Sequence, residues 1–120
     1  MPIHFLIVDD SRMSRMLLKG LVDHHYPDWN VMQASSGDEA LQMARDTPPD
    51  LVSMDYNMHG MNGLDAALAL RDLHPGARIV LVSANIQSSV QERAKAAGIP
   101  FQPKPITAET LKAIAGDIGG

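Results

Sequence analysis

The sequence predicts an α/β protein: a doubly wound, five-stranded parallel sheet with five helices, arranged as a three-layer sandwich. Three observations predict it. Short runs rich in β-branched residues alternate with helical patterns from end to end, without a composition break or a repeat, which is the signature of βαβ units. The first, third and fourth of these runs are almost continuously apolar, as strands buried on both faces of a parallel sheet must be. Right-handed crossovers then wind the helices onto both faces.

The first strand is expected from Ile3 to Val8. Ser11 is placed to cap a helix in which Met13, Met16, Leu17, Leu21 and Val22 recur at helical spacing, weakened slightly by Gly20. Trp29 to Ala34 forms the second strand. Ser36-Gly37-Asp38-Glu39 opens a second helix through Ala40, Leu41 and Ala44, and Thr47-Pro48-Pro49 stops it. The third strand runs from Asp50 to Met54. A helix beginning near Asn62 carries Leu64, Ala67, Leu68 and Leu70 to a terminator at His74-Pro75-Gly76. Arg78 to Val82 is the fourth strand, Gln87 to Ala97 the fourth helix with Gly98 as a left-handed cap, and Ile99 to Gln102 a short fifth strand. The last helix starts at Thr107, without a full capping box, and carries Leu111, Ile114 and Ile118; Gly119-Gly120 reads as a frayed end.

A chain of 120 residues is expected to make one domain, 1–120, able to bury roughly two thirds of its unfolded surface. It has no cysteine, so disulfides, thiolate metal sites and thiol nucleophiles are excluded. The start, Met1-Pro2-Ile3-His4-Phe5, has no basic region, and no apolar run approaches the roughly 18 residues of a membrane span, so the expected location is cytoplasmic. A net charge of −4 without any Lys/Arg cluster argues against nucleic acid as a partner.

Four strand-like segments end in polar groups: Asp9-Asp10, Asp55, Ser83 and Lys104. In an open parallel sheet the crevice lies beyond the carboxyl ends of the strands, so these residues converge there although distant in sequence. Three carboxylates, a hydroxyl and an ammonium then share one pocket. The carboxylates repel one another unless a cation joins them, and a divalent metal is the natural partner.

Val8-Asp9-Asp10-Ser11, Met54-Asp55-Tyr56-Asn57-Met58, Met61-Asn62-Gly63, Val82-Ser83-Ala84 and Lys104-Pro105 fall in register along the chain. With them the sequence resembles response-regulator receiver domains of the CheY-like, single-domain type over essentially its whole length. The resemblance implies strand order 2-1-3-4-5. It implies that Asp55 is the phosphoacceptor, a carboxylate nucleophile taking a phosphoryl group from a histidine kinase or phosphotransfer protein. It further implies that Asp10 binds Mg2+ directly, that Asp9 holds it mainly through water, and that Asn57 gives its backbone carbonyl. Ser83 would hydrogen-bond the phosphoryl group, Lys104 would pair with it, and the Lys104–Pro105 peptide would be cis. Phe101 occupies the place of an aromatic that turns inward when Ser83 moves, and Asn57 and Asn85 flank the acceptor where the lifetime of the phosphoryl group is tuned. Output would pass by protein binding at the face of the fourth helix, fifth strand and fifth helix, including Gln87, Gln91, Gln102 and Lys112, with a phosphatase among the implied partners. His59 stands where the family commonly has proline.

The five histidines read as surface residues, since His24-His25 are adjacent on a helix and no third ligand is spaced to join them. Most of the eight methionines read as core fillers, with Met13, Met58 and Met61 available for the pocket edge or a partner. Glu39, Glu92 and Glu109 read as solvated helix faces. Two other functions compete. A magnesium-dependent aspartyl-phosphate phosphohydrolase lacks its second acid, because Asn57 stands there, and lacks room for a substrate cap. A non-phosphorylated scaffold module leaves the polar cluster without a purpose. The chain is thus read as a signalling protein rather than an enzyme, its only chemistry being phosphorylation and dephosphorylation of Asp55.

Overall fold

The computed structural model describes residues 2–58, 60–84 and 87–119. His59, Asn85 and Gly120, which enter the sequence reading above, lie outside them. The chain alternates β1 (His4–Val8), α1 (Arg12–His25), β2 (Asn30–Ala34), α2 (Gly37–Asp46), β3 (Leu51–Asp55) and α3 (Gly63–Leu73). It continues through β4 (Arg78–Ser83), α4 (Ser88–Ala96), β5 (Phe101–Pro103) and α5 (Ala108–Ala115), followed by a 3-10 turn at Gly116–Gly119. All pairings are parallel and the strand order is β2-β1-β3-β4-β5.

The strand boundaries move by one or two residues from those expected, for identifiable reasons. β3 runs on to Asp55 because that residue still pairs with Val82, and Tyr56 N donates to Val82 O at 2.9 Å. β4 reaches Ser83, whose carbonyl accepts from Lys104 N at 2.9 Å. β5 starts only at Phe101, since Ile99 N is bonded to Ala94 O at the end of α4.

Alternation along each strand divides the core into two layers. Phe5, Ile7, Leu51, Val80 and Val82 face α1 and α5, meeting Leu18, Val22, Leu111 and Ile114. Leu6, Val8, Val52, Met54, Ile79 and Leu81 face α2, α3 and α4, whose contacts are mostly Ala40, Ala44, Ala66, Ala67, Leu70 and Ala94. Alternation from Leu51 places Ser53 and Asp55 on the α1/α5 side.

The α1 expectation needs correction. Leu18 and Val22 are its buried residues, whereas Met13, Met16 and Leu17 are 72, 56 and 67 % exposed. Two apolar stripes on nearly opposite faces run along this helix, and periodicity alone does not tell which one meets the sheet.

Four helices begin with a side-chain cap: Ser11 to Ser14 N, Ser36 to Glu39 N, Asn62 to Asp65 N and Thr107 to Thr110 N, at 2.9–3.2 Å. Glu39 is more than a solvated face, because its Oε1 accepts from Ser35 N at 2.8 Å. α4 closes with Gly98 at φ +74°, the left-handed conformation expected there.

Candidate functional site

Parallel pairing in register delivers the ends of β1, β3, β4 and β5 to one edge. Val8 pairs with Met54, Asp55 with Val82, and Ser83 with Pro103. The next residues out from β1 and β5 are Asp9 and Lys104. Sequence positions separated by 95 residues therefore meet: Lys104 Nζ donates to Asp9 Oδ2 at 2.7 Å and lies 3.3 Å from Asp55 Oδ1.

Asp9 and Asp55 are each 6 % exposed, whereas Asp10 is open to solvent. Each of the three offers a carboxylate oxygen, and these oxygens lie within 4.8 Å of one another. The Asp55 carboxyl is pushed up from 3.8 to about 6: burial raises it most, Asp9 adds to the rise, Lys104 pulls it down, and Asp10 adds a smaller upward contribution. For Lys104 burial acts to lower the pKa and is the largest single influence, but the hydrogen bond to Asp9 and the charges of Asp55 and Asp9 together raise it. The ammonium stays charged and bridges two carboxylates that repel each other.

The donor set suits a hard divalent cation. It consists only of carboxylate oxygens, two of them on nearly buried residues, and one lysine leaves the cluster net negative. Such a set fits Mg2+, which takes oxygen ligands and keeps several waters.

The backbone at Asp55 and Tyr56 is gripped from an unexpected direction. Gly63 N donates to Tyr56 O at 2.9 Å, and a Cβ on Gly63 would lie 2.1 Å from Asp55 O. Only glycine allows α3 to start against the carbonyl of Asp55. The Met61-Asn62-Gly63 motif was visible in the sequence, but its reason is a contact that sequence does not display.

The remaining candidates are placed around this centre. Ser83 is fully buried at the end of β4, and the Lys104–Pro105 peptide is cis. Asn57 is exposed in the loop beyond β3, and Phe101 is half-buried, paired with Leu81. Gln87, Gln91 and Lys112 are exposed and Gln102 is half-buried. A cavity of about 310 Å³ opens beside Asp55, polar at Asp9, Asp55 and Lys104 and apolar at Leu17, Leu18 and Ile106. His24 and His25 are exposed, their rings edge-on at 4.8 Å. Among the described residues no helix is long and apolar enough to cross a membrane.

Comparison with known proteins agrees with this geometry. The sequence pattern of the response regulator receiver domain matches residues 5–115. The chain is 35 % identical over 108 residues to the chemotaxis protein CheY of Thermotoga maritima, covering 84 % of this chain and 88 % of that one. It is 36 % identical over 107 residues to a protein-glutamate methylesterase/protein-glutamine glutaminase of Pyrococcus abyssi, covering 86 % of this chain but 28 % of that protein. Its backbone superposes on a chain of the CheX-CheY-BeF3-Mg2+ complex of Borrelia burgdorferi with a TM-score of 0.86, with 22 % identity over 98 % of this chain and 90 % of that one.

Proposed function

The chain belongs to the response regulator receiver family, and on that premise we propose that Asp55 accepts a phosphoryl group from a histidine kinase or phosphotransfer protein. The observation that carries this reading is the Lys104 bridge from Asp9 Oδ2 to Asp55 Oδ1, which assembles nucleophile, acids and cation at one edge of the sheet. Asp9, Asp10 and Asp55, with the Asn57 carbonyl that the family resemblance implies, would hold Mg2+. Bound there, the ion would supply the positive charge that phosphoryl oxygens need as charge shifts onto them.

The protein's own groups do the rest. A carboxylate oxygen of Asp55 attacks phosphorus in line, an acyl phosphate bond forms, and the bond from phosphorus to the donor's leaving group breaks. Lys104 offsets the negative charge gathered on the three transferred oxygens, and Ser83 donates its hydroxyl hydrogen to one of them. Asp55 acts as nucleophile in its ionised form, so its raised pKa of about 6 leaves it competent near neutral pH.

The donor reaches Asp55 over α1. Met13, Met16 and Leu17 form an exposed apolar patch, and Leu17 also lines the cavity that holds Asp55 and Lys104. Output passes to a target protein at α4, β5 and α5, where a cavity of about 500 Å³ is lined by Gln91, Lys95 and Phe101. Phe101 switches through packing alone, because it has no hydroxyl. The target is of the chemotaxis type, as in the CheY relatives, and a phosphatase completes the cycle. The protein turns over no separate substrate, since Asn57 is an amide and is no acid or base.

Intact mass after incubation with acetyl phosphate and Mg2+ tests the proposal. The expected result is a magnesium-dependent phosphoryl adduct, absent from Asp55→Asn. Equal labelling of native and mutant chains, or none of either, would overturn it.

A further inference from the structure

Asp9 is held at all four of its polar positions. Its N–H donates to Ala34 O at 3.1 Å, Oδ1 accepts from Ser11 N at 2.8 Å, and Oδ2 accepts from Lys104. The fourth tether comes from a residue to which no role has been given so far. Arg15 Nη1, on α1, donates to the Asp9 backbone carbonyl at 2.6 Å, while its Nε donates to Gln33 Oε1 at 3.2 Å. One guanidinium thus ties the β1–α1 loop to β2, using the fixed fork of donors that a lysine lacks.

Two features separate this contact from ordinary packing. The Asp9 carbonyl belongs to the planar peptide that joins Asp9 to Asp10, so a bond to it orients the unit from which both carboxylates project. The second feature is where the charge sits. Lys104 neutralises the acids by occupying Asp9 Oδ2 and approaching Asp55 Oδ1, oxygens that a metal could use. Arg15 instead donates to the backbone carbonyl and itself occupies no carboxylate oxygen.

We propose that Arg15, held by Gln33, is a positioning residue for the divalent-cation site: it sets the Asp9–Asp10 peptide without competing for a ligand position. The inference rests on the magnesium reading above. Outer-shell partners of metal ligands characteristically influence affinity by about 10- to 100-fold when removed.

Titration calorimetry of Mg2+ into the unphosphorylated chain tests it, comparing native protein, Arg15→Met, Arg15→Lys and Gln33→Met, with thermal melts in EDTA alongside. Arg15→Met should weaken Mg2+ binding about 10-fold or more, Arg15→Lys should recover part of that loss by restoring one donor to the Asp9 carbonyl, and Gln33→Met should weaken binding about 2- to 5-fold. At saturating Mg2+ the labelling of Asp55 by acetyl phosphate should return towards the native rate. A purely structural Arg15 would lower the melting temperature yet leave the Mg2+ affinity of the folded chain unchanged, and affinities within twofold across the series would overturn the inference. If Arg15→Met does not fold, Arg15→Lys and Gln33→Met decide by the same criterion. Native protein that binds no Mg2+ would instead overturn the magnesium reading itself.

Discussion

The two edges of the sheet are built on opposite electrostatic plans. At the carboxyl edge three carboxylates converge, Asp55 is pushed up to about 6, and a single lysine bridges two of them. At the amino edge the helices end, and cationic or polar side chains close their last carbonyls. Arg71 donates to Ala97 O beyond α4, His74 Nε2 donates to Ala44 O in α2 at 2.7 Å, and Arg78 Nε and Nη2 donate to Ile114 O and Ala113 O in α5 at 2.9 and 3.2 Å. Each satisfies orphan carbonyls, and the arginines also place positive charge at the negative end of a helix. Tyr26 and Trp29 stack at 4.1 Å at the same edge, with Phe5 edge-on to Trp29 at 5.7 Å. The difference teaches that unfavourable charge is confined to the acids: the helices are capped at both edges, and among the described residues only the carboxylate cluster holds a repulsion that a ligand can relieve.

The largest expected effect would break that contrast at one point. Gly63→Ala would drive a methyl to 2.1 Å from Asp55 O and 2.6 Å from Tyr56 Cα, both backbone atoms that cannot swing aside. Urea denaturation should show a loss of about 3 kcal/mol or more, in the range of severe overpacking. Labelling of Asp55 should fall with it. A loss under about 1 kcal/mol would mean that the loop between β3 and α3 yields easily, and that the Asp55 backbone is not gripped as its contacts indicate.

Arg78→Ala comes next and addresses the other edge. It removes two charge-assisted hydrogen bonds from the end of α5, for an expected loss of about 2 kcal/mol in urea. The rate of Asp55 labelling by acetyl phosphate should stay within about twofold of native, because the residue opens β4 and the site lies at its far end. A fall in rate comparable to that of a site mutation would show that the two edges are coupled.

How much of this was legible follows from what makes each feature visible in one dimension. Asp9, Asp55, Ser83 and Lys104 stand out because each interrupts an apolar run, and the parallel sheet converts that interruption into a shared place. The order of the strands came from family likeness rather than from pattern. The exposed stripe of α1 was hidden because Met13, Met16 and Leu17 keep helical spacing as faithfully as Leu18 and Val22 do. The grip of Gly63 on Asp55 O and the Arg15 link to Gln33 were hidden for another reason: each needs two segments in contact, which only the fold supplies. The amino-edge caps were equally silent, since Arg78 gives no local sign that Ile114 O lies beside it.

A smaller effect, of opposite sign, sharpens the electrostatic half of the comparison. The folded-state pKa of Asp55 is about 6 against 3.8 for the ordinary group, so between these values the folded chain binds more protons than the unfolded one. Stability then falls as pH rises through that interval and stays reduced above it. Asp55→Asn removes the penalty. In EDTA at pH 7.5 the mutant should be more stable than native by about 1–2 kcal/mol, allowing for partial solvation of the site, and the difference should shrink towards zero below about pH 4. A mutant that is less stable at pH 7.5 would show that the Lys104 bridge outweighs the burial and repulsion.

The smallest effect asks whether the carboxyl edge is tense throughout or only at its acids. Ser36 Oγ caps α2 by accepting from Glu39 N at 3.1 Å, and Glu39 Oε1 returns to Ser35 N at 2.8 Å, so this end of the helix is as fully satisfied as the arginine-closed ends opposite. Ser36→Ala should cost about 1 kcal/mol in urea, the usual value of a lost cap. Gly37, the first residue of α2, packs beside Ala66 and Met61, and Met61 belongs to the loop that leads from Asp55 to α3. If tension is confined to the carboxylates, the loss of stability will leave Mg2+ affinity and Asp55 labelling at native values. A several-fold drop in either would mean that the cap of α2 bears on the acceptor through Met61, and that the satisfied and unsatisfied parts of this edge act as one unit.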